Sequence, residues 1–343
     1  MSLKYLSNHN HIDLRSETEF HKGTIPGSVN IPILSNNEYE AVGKEYKDKG
    51  QSAAIELGMR LVNGDLKKKR IKLWKNHISK NPGCFIFCYR GGLRSKVAQE
   101  WLAKDDIQVE RISAGYKEFR SSIIAEHTNS KKYKKHWTII GGLTGSGKTI
   151  LLNKFKESKD LEDIANHRGS AFGRHNTPQP SQANFENNLT SEYLNHSFSN
   201  MFLEDESRSI GSVTLPGPWY EKMQTSNLVV MKVNTEERVN NIIDEYILKV
   251  KNNSISDHEL LTKYLASLEK IKKRLGDKTY KEISSQMIKG FSRDDIKSHE
   301  EWISRLLTGY YDSMYNYKLE LRKDYIIHIG DYKTCMDYLR SCK

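Results

Sequence analysis

The stretch Cys84-Phe-Ile-Phe-Cys88-Tyr-Arg-Gly-Gly-Leu-Arg94-Ser95, continued by Lys96-Val-Ala-Gln-Glu-Trp-Leu-Ala103, decides how the first part of the chain is built. Its apolar run reads as a buried strand ending at Cys88. A loop with Gly91 and Gly92 follows, and then Val97, Trp101 and Leu102 recur at helical spacing. The pattern puts Cys88 between a strand and a helix N-terminus. Backbone N–H groups converge there, and the helix dipole, with Arg90 and Arg94, favours negative charge. A thiol of ordinary pKa about 8.5 is drawn toward its thiolate in such a setting. The chemistry expected is that of a nucleophile handling anions, with Cys88, Arg90 and Arg94 as reacting groups and Gly91, Gly92 and Ser95 shaping the loop. A buried structural thiol is the competing reading, and it suits Cys84 better than Cys88.

Upstream lie Ile12-Asp13-Leu14-Arg15, the pair Glu19-Phe20, and Gly23-Thr-Ile-Pro26-Gly-Ser-Val-Asn-Ile-Pro32. With the Cys88 loop, these resemble the rhodanese superfamily: a strand ending in Asp-x-Arg, a Glu-Phe pair and a Gly-x-Ile-Pro-Gly turn. Sulfurtransferases of that superfamily usually carry the arginine five positions after the cysteine, whereas Arg94 lies six after Cys88. That spacing is similar to rhodanese-fold phosphatases and implies a wider cradle. Residues 1–128 therefore read as one α/β domain, with helical spans at 38–58 and 66–78, a short strand at 109–113 ending at Ala114-Gly115, and a helix at 118–127.

At 343 residues the chain has room for two cores, and 37% hydrophobic with 28% charged residues is the balance of a soluble globular protein. It has no apolar run of membrane-spanning length, about 18 residues, and its polar start lacks the apolar core of a signal peptide. A cytoplasmic protein with no membrane partner is expected. Four cysteines without paired CxxC motifs argue against a zinc site and a disulfide framework alike. A net charge of +11 points to an anionic partner, nucleic acid first and phosphorylated metabolites second. Basic clusters at Lys67-Lys-Lys-Arg70, Lys131-Lys-Tyr-Lys-Lys135 and Lys270-Ile-Lys-Lys-Arg274 would suit an extended polyanion, although each could be a solvated face.

The polar, basic residues 129–135 mark a linker, and residues 136–343 a second domain. His136-Trp-Thr-Ile-Ile140 is a strand candidate. Residues 142–149 fit G-x-x-x-x-G-K-T, with a helix expected at 150–157. Gly142, Gly145, Ser146 and Gly147 let backbone N–H groups wrap a phosphate, Lys148 adds charge, and the Thr149 hydroxyl can ligate Mg²⁺. The acids closing the run Met201-Phe-Leu-Glu-Asp205-Glu206 predict a metal-binding strand end, with Asp205 or Glu206 as ligand, or else a solvated cap. Strands are expected at 228–233 and 324–329. Residues of about 235–322 read as a helical insertion whose tyrosines, Tyr310 to Tyr317, stack on bases or, by the commoner use, pack helices.

A rhodanese-like domain followed by a P-loop domain, together with specific stretches, resembles the bacterial tRNA 2-selenouridine synthase family over nearly the whole chain. The stretches are Ala41-Val-Gly-Lys-Glu-Tyr46, Lys49-Gly-Gln-Ser-Ala-Ala54, the Cys88 loop, residues 142–149, His167-Arg-Gly-Ser-Ala-Phe-Gly-Arg174, Leu203-Glu-Asp-Glu-Ser-Arg208 and Tyr310-Tyr-Asp-Ser-Met-Tyr315. The resemblance implies a transferase acting on 2-thiouridine at the wobble position of Lys, Glu and Gln tRNAs. Geranyl diphosphate alkylates the sulfur, and selenium from selenophosphate then replaces the geranylthio group; a protein supplying selenophosphate is a further partner this allows. The P-loop would cradle the diphosphate, helped by Mg²⁺ and secondarily by Arg168, Arg174 and Arg208. ATP in the P-loop stays open at this point. So do two other classes of function: a rhodanese-fold phosphatase, and an ATP-dependent kinase with a regulatory rhodanese module.

Overall fold

A computed structural model describes residues 5–6, 10–251 and 255–342; part of the polar start lies outside them. The chain forms two compact units, residues 1–129 with 180–196, and residues 130–179 with 197–343. Each is α/β.

The first unit is built on a four-stranded parallel sheet in the order β2-β1-β3-β4, from β1 (Ile12–Asp13), β2 (Val29–Asn30), β3 (Phe85–Phe87) and β4 (Glu110–Arg111). The strands are short, and the helices Asn36–Leu61, Gly64–Lys80, Leu93–Ala103 and Gly115–Glu126 supply much of the apolar cover. Ile12, Leu14, Ile86, Trp74, Ala98, Trp101 and Leu102 form the main core. The Asp-x-Arg stretch is a structural clip. Asp13 accepts from Arg15 Nη2 at 2.6 Å and from the Thr24 hydroxyl at 2.8 Å, while Arg15 also donates to the Gly23 carbonyl.

Sequence order hides one member of this unit. Helix Gln182–Asn195 follows the P-loop in the chain, yet it belongs with residues 1–129. Its Asn187 is fully buried, donating to the Thr24 carbonyl at 2.7 Å and accepting from Arg120 at 3.0 Å. Arg120 also pairs with Glu186. No periodicity argument could place this helix, because its partners lie far away in sequence.

The second unit carries a five-stranded parallel sheet in the order β11-β10-β5-β7-β6: β5 (His136–Gly141), β6 (Ser158–Lys159), β7 (Asn200–Glu204), β10 (Asn227–Met231) and β11 (Ile326–Gly330). A small hairpin pairs β8 (Ser209–Ile210) with β9 (Val213–Thr214). The helix after the P-loop spans only Lys148–Leu152, shorter than the 150–157 expected. The chain turns there to bury Phe155 edge-on against Phe202 at 5.4 Å and to enter β6. Residues 129–135 are not an open linker either. Ser130–Lys132 is a 3-10 turn, and Tyr133 is buried against Trp137 and Trp219 at 5.5 and 5.1 Å.

Residues 235–321 form the expected helical layer: Thr235–Ile242, Asp257–Leu275, Asp277–Arg293, Ile296–Leu306 and Asp312–Leu321. It has its own core around Val239, Ile247, Tyr264, Leu268, Met287 and Trp302. Two segments are wound as π-helix, Ile243–Leu248 and Leu307–Tyr311. Such widened turns commonly mark functional sites.

Candidate functional site

In the first unit, Cys88 follows β3 and the loop leads into helix Leu93–Ala103. Two glycines lock the loop. A Cβ on Gly91 (φ +62) would lie 1.9 Å from the Ser113 carbonyl oxygen, and one on Gly115 (φ +65) would lie 2.4 Å from the Cys88 carbonyl oxygen. Tyr116 N–H donates to the Cys88 carbonyl at 3.0 Å and Lys117 N–H to that of Tyr89 at 2.8 Å, so the loop is pinned to the start of the next helix. Cys88 Sγ is 3.3 Å from Ser95 Oγ, which in turn donates to the Gly92 carbonyl at 3.1 Å. Among the described residues, no protein acceptor takes the backbone N–H groups of residues 89–95. They are donors available to an anion.

The two loop arginines differ. Arg90 is exposed. Arg94 is already engaged in a two-pronged ion pair with Glu19 at 2.6 and 3.0 Å and lies over the Tyr39 ring. Burial works against the charge on Glu19, and the hydrogen bonds from Arg94 overcome it, holding the carboxyl below its usual range. Arg94, expected to favour an anion at this loop, thus already has a counter-ion, supplied by the Glu-Phe stretch. The anion-binding capacity of this loop rests first on its backbone.

In the second unit, the P-loop lines a cavity of about 610 Å³. At one end stand Gly145, Gly147, Lys148 and Thr149, whose backbone N–H groups have no acceptor among the described residues. Gly142 lies against the Met231 carbonyl, where a Cβ would come within 2.7 Å, and Ser146 Oγ is buried without a hydrogen bond. Lys148 is folded back, donating to the Gly142 carbonyl at 3.0 Å, with Nζ 3.6 Å from Glu204 and 5.3 Å from the Tyr315 ring centre. Part of the remaining wall is apolar and aromatic, with Phe172, Tyr264, Trp302, Ile303, Leu306 and Tyr311, and part is charged, with Arg168, Asp244, Glu245, Lys249, Arg274 and Lys318. Both π-helical segments contribute to the same lining, through Tyr246 and Tyr310.

The acids at the end of β7 separate by partner. Glu204 is the last residue of β7, and Asp205 and Glu206 lie just beyond it, where Glu206 N–H donates to the Glu204 carbonyl at 2.9 Å. Glu204 accepts from the Thr149 hydroxyl at 2.9 Å. Asp205 is instead buried in an ion pair with Arg322 at 2.6 Å, and the expectation that it could hold the metal is corrected. Glu206 joins Glu204 and Glu162, and oxygens of the three lie within 4.8 Å of one another. Burial first, then the neighbouring carboxylates, pushes Glu162 up to about 10 and Glu206 up to about 8. Burial also raises Glu204, against the pull of Lys148 and Thr149. Carboxylates that resist sharing negative charge, all offering oxygen, fit a hard cation such as Mg²⁺.

A model described as the tRNA 2-selenouridine synthase AAA domain matches residues 135–343, and one described as a Rhodanese-like domain matches residues 3–122. The tRNA 2-selenouridine synthase of Shewanella halifaxensis (strain HAW-EB4) is 39% identical, covering 98% of this chain and 95% of that protein. Those of Shewanella sp. (strain MR-7) and Shewanella piezotolerans (strain WP3 / JCM 13877) are each 40% identical, covering 96% and 97% of this chain and 92% and 95% of theirs. The chain belongs to the tRNA 2-selenouridine synthase family.

For this family member, the structure gathers Gly145, Gly147, Lys148, Thr149, Arg168, Asp205 and Glu206 at one cavity, with the Asp205 carboxylate taken by Arg322. Arg168 lies over the Tyr246 ring at 4.9 Å, with Glu245 at 3.7 Å. Arg174 and Arg208 are exposed and do not line the cavity, so their expected part in holding the diphosphate is not met by their positions. Glu162 and Glu204 were missed by sequence reasoning. Glu204 had a signal, being the first charge in the otherwise apolar run of a strand whose last four residues are buried. Glu162 had none, since it arrives from the five-residue helix Leu161–Ala165. Among the basic clusters, Arg70 is structural, buried on the Ile33 carbonyl and on Glu38 at 2.6 Å.

Proposed function

We propose that this protein converts 2-thiouridine at the tRNA wobble position into 2-selenouridine, using geranyl diphosphate and then selenophosphate. One observation carries the reading of the second unit: a P-loop opening into a cavity that has an aromatic and aliphatic patch, Phe172, Tyr264, Trp302, Ile303, Leu306 and Tyr311, in its wall. A diphosphate bearing an apolar tail matches both ends of such a cavity. In the first step the thiouridine sulfur forms a bond to C1 of the geranyl group. The C1–O bond breaks with its electron pair leaving on the diphosphate, and the base loses its N3 proton. Lys148 and the free N–H groups of Gly145, Gly147, Lys148 and Thr149 stabilise the charge that grows on the leaving group. Glu162, Glu204, Glu206 and Thr149 would hold Mg²⁺, which when bound neutralises the same charge. With Arg168 over the Tyr246 ring and Lys148 over that of Tyr315, the rings of Tyr264, Trp302 and Tyr310 are the ones suited to positive charge developing on the allylic carbons.

In the second step selenium of selenophosphate bonds to C2 of the base, the geranylthio group leaves as the thiol, and water takes up the phosphoryl group. The N–H groups of residues 89–95 suit the phosphoryl oxygens, and the Cys88 thiol stands beside them as the side chain this step is taken to require. The decisive experiment is competition for the P-loop. Geranyl diphosphate with Mg²⁺ should bind, Lys148→Ala should abolish both binding and geranylation, and a pre-geranylated tRNA should still be selenated by that variant. Tight ATP binding that geranyl diphosphate cannot displace would overturn the donor assignment in favour of a nucleotide site.

A further inference from the structure

Arg174, left outside the cavity, has company. Residues 167 and 174 bridge in antiparallel fashion and Arg168 N–H donates to the Gly173 carbonyl, so this short loop folds back on itself beside the cavity, which Arg168 lines. Lys263 of helix Asp257–Leu275 reaches this loop, its Nζ 3.4 Å from Asn176 Oδ1. Lys263, Lys270 and Arg274 are seven and eleven residues apart, which at 100° per residue places them within about 40° on one helix face. The adjacent face of the helix supplies Tyr264 and Ile271 to the cavity wall.

The two segments thus bring Arg174, His175, Lys263, Lys270 and Arg274 to one rim. Among the described residues, none of these has a carboxylate within ion-pair distance; Glu245 holds Arg168, and Asp163 faces His175. Burial lowers His167 and His175, and the surrounding cations push both further toward the neutral form. In a protein that pairs many of its surface charges, such a group of cations is electrostatically unfavourable until an anion reaches it. Arg174, Lys263 and Lys270 do not line the cavity, so that anion is not the donor's diphosphate.

We propose that this rim binds the phosphate backbone of the tRNA, holding the strand so that its thiolated base reaches the donor in the cavity. The proposal rests on tRNA being the substrate. It assigns the contact to side chains from two separate segments, and to positions that point charge rather than base-reading groups outward. Phosphate contacts of this kind position a strand without reading its sequence.

The test replaces Arg174, Lys263 and Lys270 together by glutamine in the full chain and measures tRNA binding against salt. Each lost phosphate contact lowers the log–log slope by about 0.7 to 0.9, so the triple variant should lose about 2 in slope and on the order of tenfold or more in affinity. Geranyl diphosphate binding should be unchanged, which also shows that the fold is intact. A control, Lys323→Gln with Lys333→Gln, removes two exposed cations from the same unit and should keep the wild-type slope. An unchanged slope in the triple variant, an equal loss in the control, or a parallel loss of donor binding would each overturn the rim assignment. A wild-type protein that binds no tRNA would overturn the substrate reading and the rim with it, whereas intact tRNA binding without donor binding would count against the donor site alone.

Discussion

Glu206→Gln should make the metal-free protein more stable. In the folded state Glu206 is pushed up to about 8, burial being the largest cause and Glu204 the next, against an ordinary value of 4.5. Between those two values the folded state holds a proton that the unfolded state has released, so stability falls as pH rises through that window. At neutral pH about 2.5 units of the window have been crossed, and at about 1.36 kcal/mol per unit the cost is on the order of 3 kcal/mol. Glutamine keeps the shape without the charge, and it gives back about 1 kcal/mol for burying an amide with poorer partners. The net gain is on the order of 2 kcal/mol at neutral pH and fades toward about pH 4.5, where the carboxyl is protonated in both states. Urea unfolding of both proteins at acid, neutral and mildly alkaline pH measures it. Mg²⁺ provides the second arm: it should stabilise the wild type by mass action and the variant less, since one of three carboxylates is gone. A variant less stable than wild type above neutral pH without Mg²⁺, or an equal response of both to Mg²⁺, refutes the reasoning.

Asp205→Asn should behave in the opposite way, leaving the Arg322 charge buried without its partner and costing about 3 kcal/mol in a urea melt; retention of most of the Mg²⁺ response would separate it from the cluster. Cys88→Ser should keep the melting temperature and geranylation while stopping selenium incorporation, and mass spectrometry of digested tRNA showing wild-type selenouridine would count against the nucleophile. Gly115→Ala forces a left-handed residue and a 2.4 Å approach to the Cys88 carbonyl, so the loop should shift, with a lower melting temperature and an altered alkylation rate at Cys88; an unchanged rate would refute the interlock. Asn187→Ala strips hydrogen bonds from the Thr24 carbonyl and Arg120 and should cost about 2 kcal/mol in the first unit, while residues 1–129 expressed without 180–196 should fail to give a cooperative unfolding transition.

The sequence by itself determined the two local machines. The strand, loop and helix around Cys88 and around residues 142–149 are written in consecutive residues, because alternating burial, glycine conformation and helix starts are short-range constraints that contiguous residues can express. The helical character of residues 235–321 followed from periodicity in the same way; that they wall the cavity did not. What only the tertiary structure decided were the partners that arrive from a distance. Glu19 claims Arg94 from 75 residues away, Arg322 claims Asp205 across 117, and helix Gln182–Asn195 joins residues 1–129 from beyond the P-loop. Each is a charge or polar group whose burial demands a partner, and the residue that meets that demand is chosen by proximity in the folded chain, which no spacing along it records. The acids of β7 show both levels at once. That acids close the apolar run is local to the sequence; which of them face the phosphate loop, and that Glu162 waits there, was settled by how the sheet and the helices close around it.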